Sequence, residues 1–126
     1  VRDYAAFRQA LADRHWAIGI CPLAYTQFNS VKANTKWIEY TSSGMAVIAS
    51  KGTVYDECAA EGRGLLVGPE EWGAALQLLT DDTELRFRMI VQAQAHLALR
   101  YSDEALRRQV LEVFDMAQAR SLDLAA

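Results

Sequence analysis

The stretch from Lys32 to Ser50, KANTKWIEYTSSGMAVIAS, constrains the fold most, because a helical segment leads through a glycine directly into an apolar strand. Lys32, Lys36 and Glu39 have the spacing i, i+4 and i+7, which predicts that they share one charged face of a helix. The positions expected on its opposite, packed face are Val31, Thr35, Ile38 and Ser42. A single amphipathic helix is therefore predicted here.

Gly44 is expected to end this helix, because only glycine adopts a positive φ at the C′ position without a steric penalty from a Cβ atom. The following residues, Met45 to Ala49, form a continuous apolar run. Such runs are typical of strands buried on both faces of a parallel sheet. The stretch thus predicts a helix, a tight glycine turn and a buried parallel strand.

The rest of the chain continues this alternation of helices and strands. Apolar spacing predicts helices over Val1–Arg14 and Val54–Glu61, a central strand over Trp16–Leu23, and another strand over Gly64–Val67. Three more helices are predicted, capped in turn by Gly68-Pro69-Glu70-Glu71, by Asp81 or Asp82, and by Ser102, with a frayed tail after Arg120. The order predicts a partial Rossmann-like three-layer α/β sandwich with a short parallel sheet of about three strands.

Length and charge restrict the classes of partner. The 126 residues, 52% hydrophobic and 23% charged, suit a single globular domain. A net charge of −3 gives no electrostatic reason to bind nucleic acid or anionic lipid. Apolar runs fall short of the roughly 20 residues that a membrane span needs. Cys21 and Cys58 lack disulfide or metal spacing and suit buried, reduced thiols, so we expect a cytoplasmic location.

The sequence contains no GxGxxG, GxxxxGK[ST] or GxSxG motif and no metal-like spacing of His, Cys and Asp. Two loops nevertheless follow predicted strands, at Ala24–Ser30 and at Lys51–Thr53. Open α/β sheets bind ligands at the carboxyl ends of their strands, so these loops are expected at a ligand-binding edge. Asn29 or Ser30 is expected to cap the next helix.

The order of residues is more specific than the composition. The matching pattern consists of Pro22-Leu23, Phe28-Asn29, Lys32, Lys36, Glu39, Gly44, Glu61-Gly62, Gly64–Val67 and Pro69–Trp72. In this pattern the chain resembles the C-terminal, donor-binding domain of retaining GT-B fold glycosyltransferases of the group 1 type. The resemblance extends from about Tyr4 to Phe114 and implies the second half of such a domain.

The resemblance implies a nucleotide-sugar, such as a UDP- or GDP-sugar, as the substrate, with no cofactor or metal. Glu39 matches the second glutamate of the family's E-x7-E motif, which accepts hydrogen bonds from ribose hydroxyls. Lys32 and Lys36 match recurring lysines near the donor diphosphate, and the loop with Thr53 is expected to wall the nucleotide pocket. The first glutamate is replaced by Val31, and the neighbouring Asn29 or Ser30 is a candidate to substitute for it.

The resemblance also implies partners. An N-terminal acceptor-binding domain is expected to be missing from this segment, so the 126 residues are expected to be a truncated domain that does not turn over alone. An uncovered sheet edge predicts a homo-oligomer. Judged by residue type alone, Lys36 and Glu39 are equally well explained as a solvated ion pair. The alternative function is a non-catalytic α/β nucleotide-binding or protein-interaction module.

Overall fold

The structure, a computed structural model, describes the backbone of residues 3–125 and the side chains of residues 3–123. The strands are β1 (Ile18–Cys21), β2 (Ala46–Ser50) and β3 (Leu65–Val67). The helices are α1 (Tyr4–Ala12), α2 (Thr35–Ser42), α3 (Asp56–Ala59), α4 (Trp72–Asp81), α5 (Thr83–Arg100) and α6 (Asp103–Ala125), and a 3-10 turn spans Asn29–Val31. The chain divides into two compact units, one ending at Ala95 and the other beginning at His96.

The three strands form one parallel sheet in the order β1-β2-β3. Ile20 lies opposite Ile48, and Ala49 lies opposite Leu66. Alternate residues of a strand face opposite sides of the sheet. On one side the core consists of Ala46, Ile48, Val67, Ala75, Leu79 and Met89. The predicted α/β class and the short parallel sheet flanked by helices are confirmed.

β1 lies at an edge of this sheet, whereas the sequence predicts a central strand. Gly19 and Cys21 are buried, but the side chain of Ile20 is 46% exposed. An uncovered strand leaves backbone donors and acceptors that another chain can bind. Pairing of this edge with a second copy stays a prediction.

The start of α2 differs from the prediction. The helix begins at Thr35, after Asn34, whose carbonyl oxygen accepts hydrogen bonds from the amides of Trp37 and Ile38. Lys32 precedes the helix in an extended conformation (φ −73°, ψ 156°) and therefore does not share a helical face with Lys36 and Glu39. Asn34 takes the N-cap position in place of the predicted Asn29 or Ser30, and it does so without a capping hydrogen bond from its side chain.

Three of the four positions predicted for the packed face of α2 are exposed, whereas the fourth, Ile38, is half-buried. Trp37 and Thr41, spaced i and i+4, are fully buried. Val31 is 81% exposed in the 3-10 turn, and Thr35 and Ser42 are exposed as well. The large indole of Trp37 contributes much more apolar area than threonine or serine, so its face is the one that turns inward.

The glycine that ends α2 was predicted correctly. Gly44 has φ +79°, and the amides of Gly44 and Met45 donate to the carbonyl oxygens of Thr41 and Tyr40, as in a Schellman motif. This turn brings the chain from α2 into β2 without an intervening loop.

Replacing Gly44 with alanine is expected to destabilise the fold by about 1 kcal/mol, because the positive φ is strained for a residue with a Cβ atom. The added methyl group would meet nothing within 4 Å, so the cost is conformational. Gly73, inside α4, also has open space around it. Gly73→Ala is therefore expected to stabilise the fold by about 0.5–1 kcal/mol. Urea unfolding of both variants measures the change in the free energy of unfolding. Changes of the same sign in the two variants would contradict the prediction.

The last three helices have some of the predicted features. The Asp82 carboxylate accepts a hydrogen bond from the Leu85 amide, and the Ser102 hydroxyl accepts one from the Ala105 amide, so both predicted caps are confirmed. α4 begins at Trp72, a turn later than the predicted proline start. α6 remains helical to Ala125 where a frayed tail is predicted.

Several large apolar residues of α6 are exposed: Leu106, Val110, Val113 and Phe114. Within the part of the chain that the structure describes, none of the helices combines the length and the apolar character needed to cross a bilayer.

Candidate functional site

The carboxyl ends of the parallel strands open into a cavity of about 410 Å³. Its walls are the loop after β1 and the loop after β2, because parallel neighbours end at the same edge of a sheet. The lining residues are Leu23, Ala24, Tyr25, Thr26, Asn29, Ser30, Gly52, Thr53, Val54 and Asp56.

The first wall is folded by its own polar side chains. The Asn29 side-chain amide donates to the Ala24 carbonyl oxygen at 2.8 Å, and the Asn29 backbone amide donates to the Thr26 hydroxyl at 3.1 Å. The Ser30 hydroxyl donates to the Gln27 carbonyl oxygen at 2.7 Å. These bonds hold the loop in a compact turn in which Asn29 has a structural role.

The second wall is organised around a carboxylate. Asp56, the first residue of α3, accepts hydrogen bonds from the backbone amides of Gly52 at 2.8 Å and Thr53 at 3.4 Å. The Thr53 hydroxyl donates to the Ser50 carbonyl oxygen at 2.7 Å. Gly52 has φ +77°, so the turn requires glycine to bring its amide toward the carboxylate.

The two walls are tied together at the sheet. The Leu23 amide donates to the Ser50 hydroxyl at 2.8 Å, which links the residue after β1 to the end of β2. The Lys51 amide donates to the Val67 carbonyl oxygen at 2.9 Å, which extends the pairing of β2 with β3. The bond from the Leu23 amide to the Ser50 side chain therefore joins the two walls at the base of the cavity.

The structure brings only two of the five predicted site residues into this cavity. Asn29 and Thr53 line it, whereas Lys32, Lys36 and Glu39 are not among its lining residues. The Lys32 ammonium lies over the ring of Phe28, with Nζ 5.0 Å from the ring centroid. Phe28 is 74% exposed, so this cation-π pair lies on the outer surface of the loop.

Glu39 is half-buried on α2 and faces the first helix. Desolvation raises the pKa of Tyr4, and the hydrogen bond and negative charge of Glu39 raise it further. The charges of Lys36 and Glu39 also act on the thiol of Cys21, at the end of β1. Both charges therefore lie within electrostatic range of Cys21, at the carboxyl end of β1, although neither residue lines the cavity.

A buried layer of sulfur and phenol groups lies at the ends of β1 and α3. Cys21 and Cys58 are buried free cysteines, as predicted, and Tyr55 is buried with them. Burial raises the pKa of Cys21 to about 12, although the charge of Lys36 acts in the opposite direction. Burial, followed by the charge of Cys21, raises the pKa of Tyr55 to about 12. These groups are uncharged at neutral pH.

Both thiols are expected to resist labelling by a disulfide reagent at about pH 8 in the folded chain, because the thiolate is the reactive form and burial disfavours it. In denaturant both thiols are expected to react at once. The pKa of Cys21 is higher in the folded chain than in the unfolded chain, where thiols titrate near about 8.5. The free energy of unfolding should therefore fall as the pH rises above that value. Rapid labelling of the folded chain would contradict the burial of both groups.

Three residues near the site were missed by sequence reasoning. Asp56 falls within the predicted helix Val54–Glu61 and was given no role, yet it organises the second wall. Tyr40 packs against Gly19, where a Cβ atom would lie 2.5 Å from its ring, and Tyr4 contacts Glu39. Gly52 lies four residues before Asp56, an acid at the start of a predicted helix. This spacing of a turn glycine and a helix-start acid was the sequence signal that could have indicated the role of Asp56.

Among the described residues, no group of three or more His, Cys, Asp or Glu side chains is placed to hold a metal ion. The chemistry available at the sheet edge is that of hydroxyl, amide and carboxylate groups beside an exposed tyrosine.

Comparison with known proteins bears on the fold. No protein-family model matches the sequence, and neither does any curated protein sequence. The structure is similar to the crystal structure of the C-terminal domain of a glycosyl transferase group 1 family protein, LpcC, from Francisella tularensis. The TM-score is 0.64 at 21% sequence identity, and the match covers 82% of this chain and 51% of that one. The chain thus has a fold matching a GT-B C-terminal Rossmann-like domain and spans about half the length of its neighbour.

Proposed function

We propose that this chain is the donor-binding part of a glycosyltransferase, which binds a nucleotide-sugar such as a UDP- or GDP-sugar. A second domain would hold the acceptor, because transfer requires donor and acceptor to be enclosed together. The proposal takes its fold from the similarity to the LpcC domain and its chemistry from residues at the carboxyl end of β1.

The observation that carries the proposal is the environment of Glu39. The ion pairs that the described side chains form include Arg63 with Glu61 and Arg88 with Glu84, and Glu39 takes part in neither of these. Its half-buried carboxylate lies near Tyr4, where burial and then the proximity of Glu39 raise the pKa of the phenol. A carboxylate has about four lone-pair sites, so it can accept further hydrogen bonds from the adjacent hydroxyls of a ribose.

The two lysines are proposed to contact the diphosphate. Lys36 follows the first residue of α2 and is exposed, and Lys32 precedes that helix by a short extended segment. The positive end of the helix dipole adds to their charge at this position. Val31, at the position of the first motif glutamate, offers no hydrogen bond, so Asn29 in the adjacent cavity is proposed to supply the sugar contact.

Titration calorimetry of the chain with UDP, GDP and their sugars tests the proposal. We expect binding of at least one nucleotide-sugar, and we expect no sugar transfer to water or to simple acceptors by this chain alone. Silence toward all four classes of ligand would instead favour the second candidate, a non-catalytic interaction module. The exposed apolar residues of α6, including Val113 and Phe114, are the observation that supports this second candidate.

A further inference from the structure

One face of α6 carries a continuous row of exposed apolar side chains. Leu106, Val110, Val113 and Ala117 follow one another at intervals of four, three and four residues, and all four are exposed. These intervals place residues on one face of a helix and are those of the apolar seam of a coiled coil. Ala105, which is buried, lies about a third of a turn away from them. The α6 row, as we call these four residues, is therefore open to a partner helix.

The α6 row contains a hollow of about 460 Å³. It is lined by Val113, Met116, Ala117, Arg120 and Ser121. The first four of these have the spacing i, i+3, i+4 and i+7, so they form the kind of four-residue hole that receives one side chain of a facing helix. Ala117 leaves this space open because its side chain is a single methyl group. A large apolar side chain from a second helix would fill it.

The α6 row itself supplies a side chain that fits this hollow. When two copies of α6 run antiparallel with Val110 opposite Val113, the same register places Leu106 of each copy opposite Ala117 of the other. Each large side chain then meets a small one, which is the alternation that lets two helices interdigitate without voids. The arrangement has twofold symmetry, so both hollows are filled at once and the contact closes as a dimer.

The charges at the ends of the α6 row favour the antiparallel direction. The next layer of the same register places Asp103 of each copy opposite Arg120 of the other, and both side chains are exposed. An in-register parallel pair would place Asp103 against Asp103 and Arg120 against Arg120, and like charges in contact are unfavourable. The antiparallel register also brings Arg107 beside the exposed ring of Phe114 on the second copy, a pair suited to a cation-π contact.

We propose that α6 pairs with α6 of a second copy of this chain in an antiparallel dimer, with Leu106 of each copy in the hollow beside Ala117 of the other. This dimer does not depend on nucleotide-sugar binding, and its contact lies on α6 and not at the free edge of β1. A single pair of helices buries an area at the low end for specific interfaces, below about 1,200 Å², so the dimer is expected to be weak.

Sedimentation velocity of the 126-residue chain tests for this dimer. The concentration is varied from about 1 µM to about 1 mM, the range in which contacts of this size dissociate. We expect a monomer at the low end and a reversible dimer at the high end. A monomer at every concentration would overturn the proposal and show that the α6 row is covered by a different partner.

Two variants on the same helix locate the contact. Val113 is 60% exposed and lies in the α6 row, whereas Leu111 is 56% exposed and lies outside it. Val113→Lys is expected to weaken dimerisation at least about tenfold, because the symmetric contact would bury the added charge twice. Leu111→Lys makes a similar change from an apolar to a charged residue and is expected to have no effect. Equal dimerisation of the two variants would contradict the proposed contact.

A variant at the edge of the sheet separates the α6 contact from strand pairing. Ile20 in β1 is 46% exposed, and Ile20→Lys adds a charge to that edge without changing α6. Dimerisation is expected to be unchanged, and circular dichroism checks that the variant is folded. If the folded Ile20→Lys variant is monomeric while Val113→Lys still dimerises, the edge of β1 is the interface and the proposal is wrong.

Exchange of the end charges tests the direction of the helices. Arg120→Glu sets acid against acid at both ends of the antiparallel contact and is expected to weaken dimerisation about threefold to tenfold. Adding Asp103→Lys restores opposite charges and is expected to recover most of the loss. In a parallel dimer both variants would still place like charges together. Unchanged dimerisation of Arg120→Glu, or a loss that the double variant does not recover, would overturn the antiparallel register.

Discussion

Glu39→Gln is expected to weaken binding of the preferred UDP- or GDP-sugar about tenfold to a hundredfold. In the proposed complex the carboxylate would accept hydrogen bonds from ribose hydroxyls, and a hydrogen bond to a charged group is worth roughly 1.5–3 kcal/mol. Glutamine has nearly the same size but one oxygen acceptor, no charge and an amide that must itself be satisfied. Titration calorimetry at fixed ionic strength measures the loss directly.

Two further variants make this result specific. Glu112 is exposed on α6, and Glu112→Gln gives the same change of charge in the other compact unit. It is expected to leave the affinity unchanged. Tyr4→Phe removes the hydroxyl that contacts Glu39, so nucleotide-sugar binding should be retained or strengthened. If Glu39→Gln and Glu112→Gln bind equally well, the ribose is not bound at Glu39.

Trp37→Ala is expected to destabilise the fold by about 3–5 kcal/mol, the usual cost of removing a large buried aromatic side chain. The Trp37 side chain is fully buried in α2, on the face that packs against the sheet together with Thr41. Its removal leaves a cavity beneath the helix that carries Lys36 and Glu39. Urea unfolding followed by circular dichroism measures the change in the free energy of unfolding.

Trp16→Ala is the matched control for this variant. Trp16 is 51% exposed, and Arg14 lies 5.1 Å from its ring centroid in a cation-π pair. An exposed pair of this kind contributes only about 0.5–1 kcal/mol. A similar loss of stability in both variants would contradict the assignment of Trp37, rather than another residue, to the core face of α2.

The sequence was sufficient to predict the sheet and the helix order, because apolar periodicity and glycine turns are local signals. Gly44, with its positive φ, and the caps Asp82 and Ser102 are cases in which a few consecutive residues determine the backbone. The prediction of which residues form the packed face of α2 was largely wrong, and the reason is physical. The i, i+4, i+7 spacing of the charged residues holds only if Lys32 is helical, and Asn34 starts the helix after it.

The candidate site was predictable in part. Asn29 and Thr53 follow strands, so the topology alone places them at the sheet edge. Asp56 was not predictable in this way, since its role depends on a three-dimensional turn that aims the amides of Gly52 and Thr53 at one carboxylate. The contacts of Glu39 with Tyr4 connect two helices that are far apart in sequence, and no local pattern reports them.

The residue at position 19 can influence Glu39, the residue proposed to contact the ribose. Tyr40 follows Glu39 on α2, and its ring rests where a side chain at Gly19 would begin, with ring atoms 2.5 and 2.7 Å from an added Cβ. A single methyl group there would force Tyr40 to shift, and Glu39 is the residue next to it on α2. If Glu39 binds the ribose as proposed, Gly19→Ala is expected to change nucleotide-sugar affinity without altering any of the side chains proposed to contact the ligand.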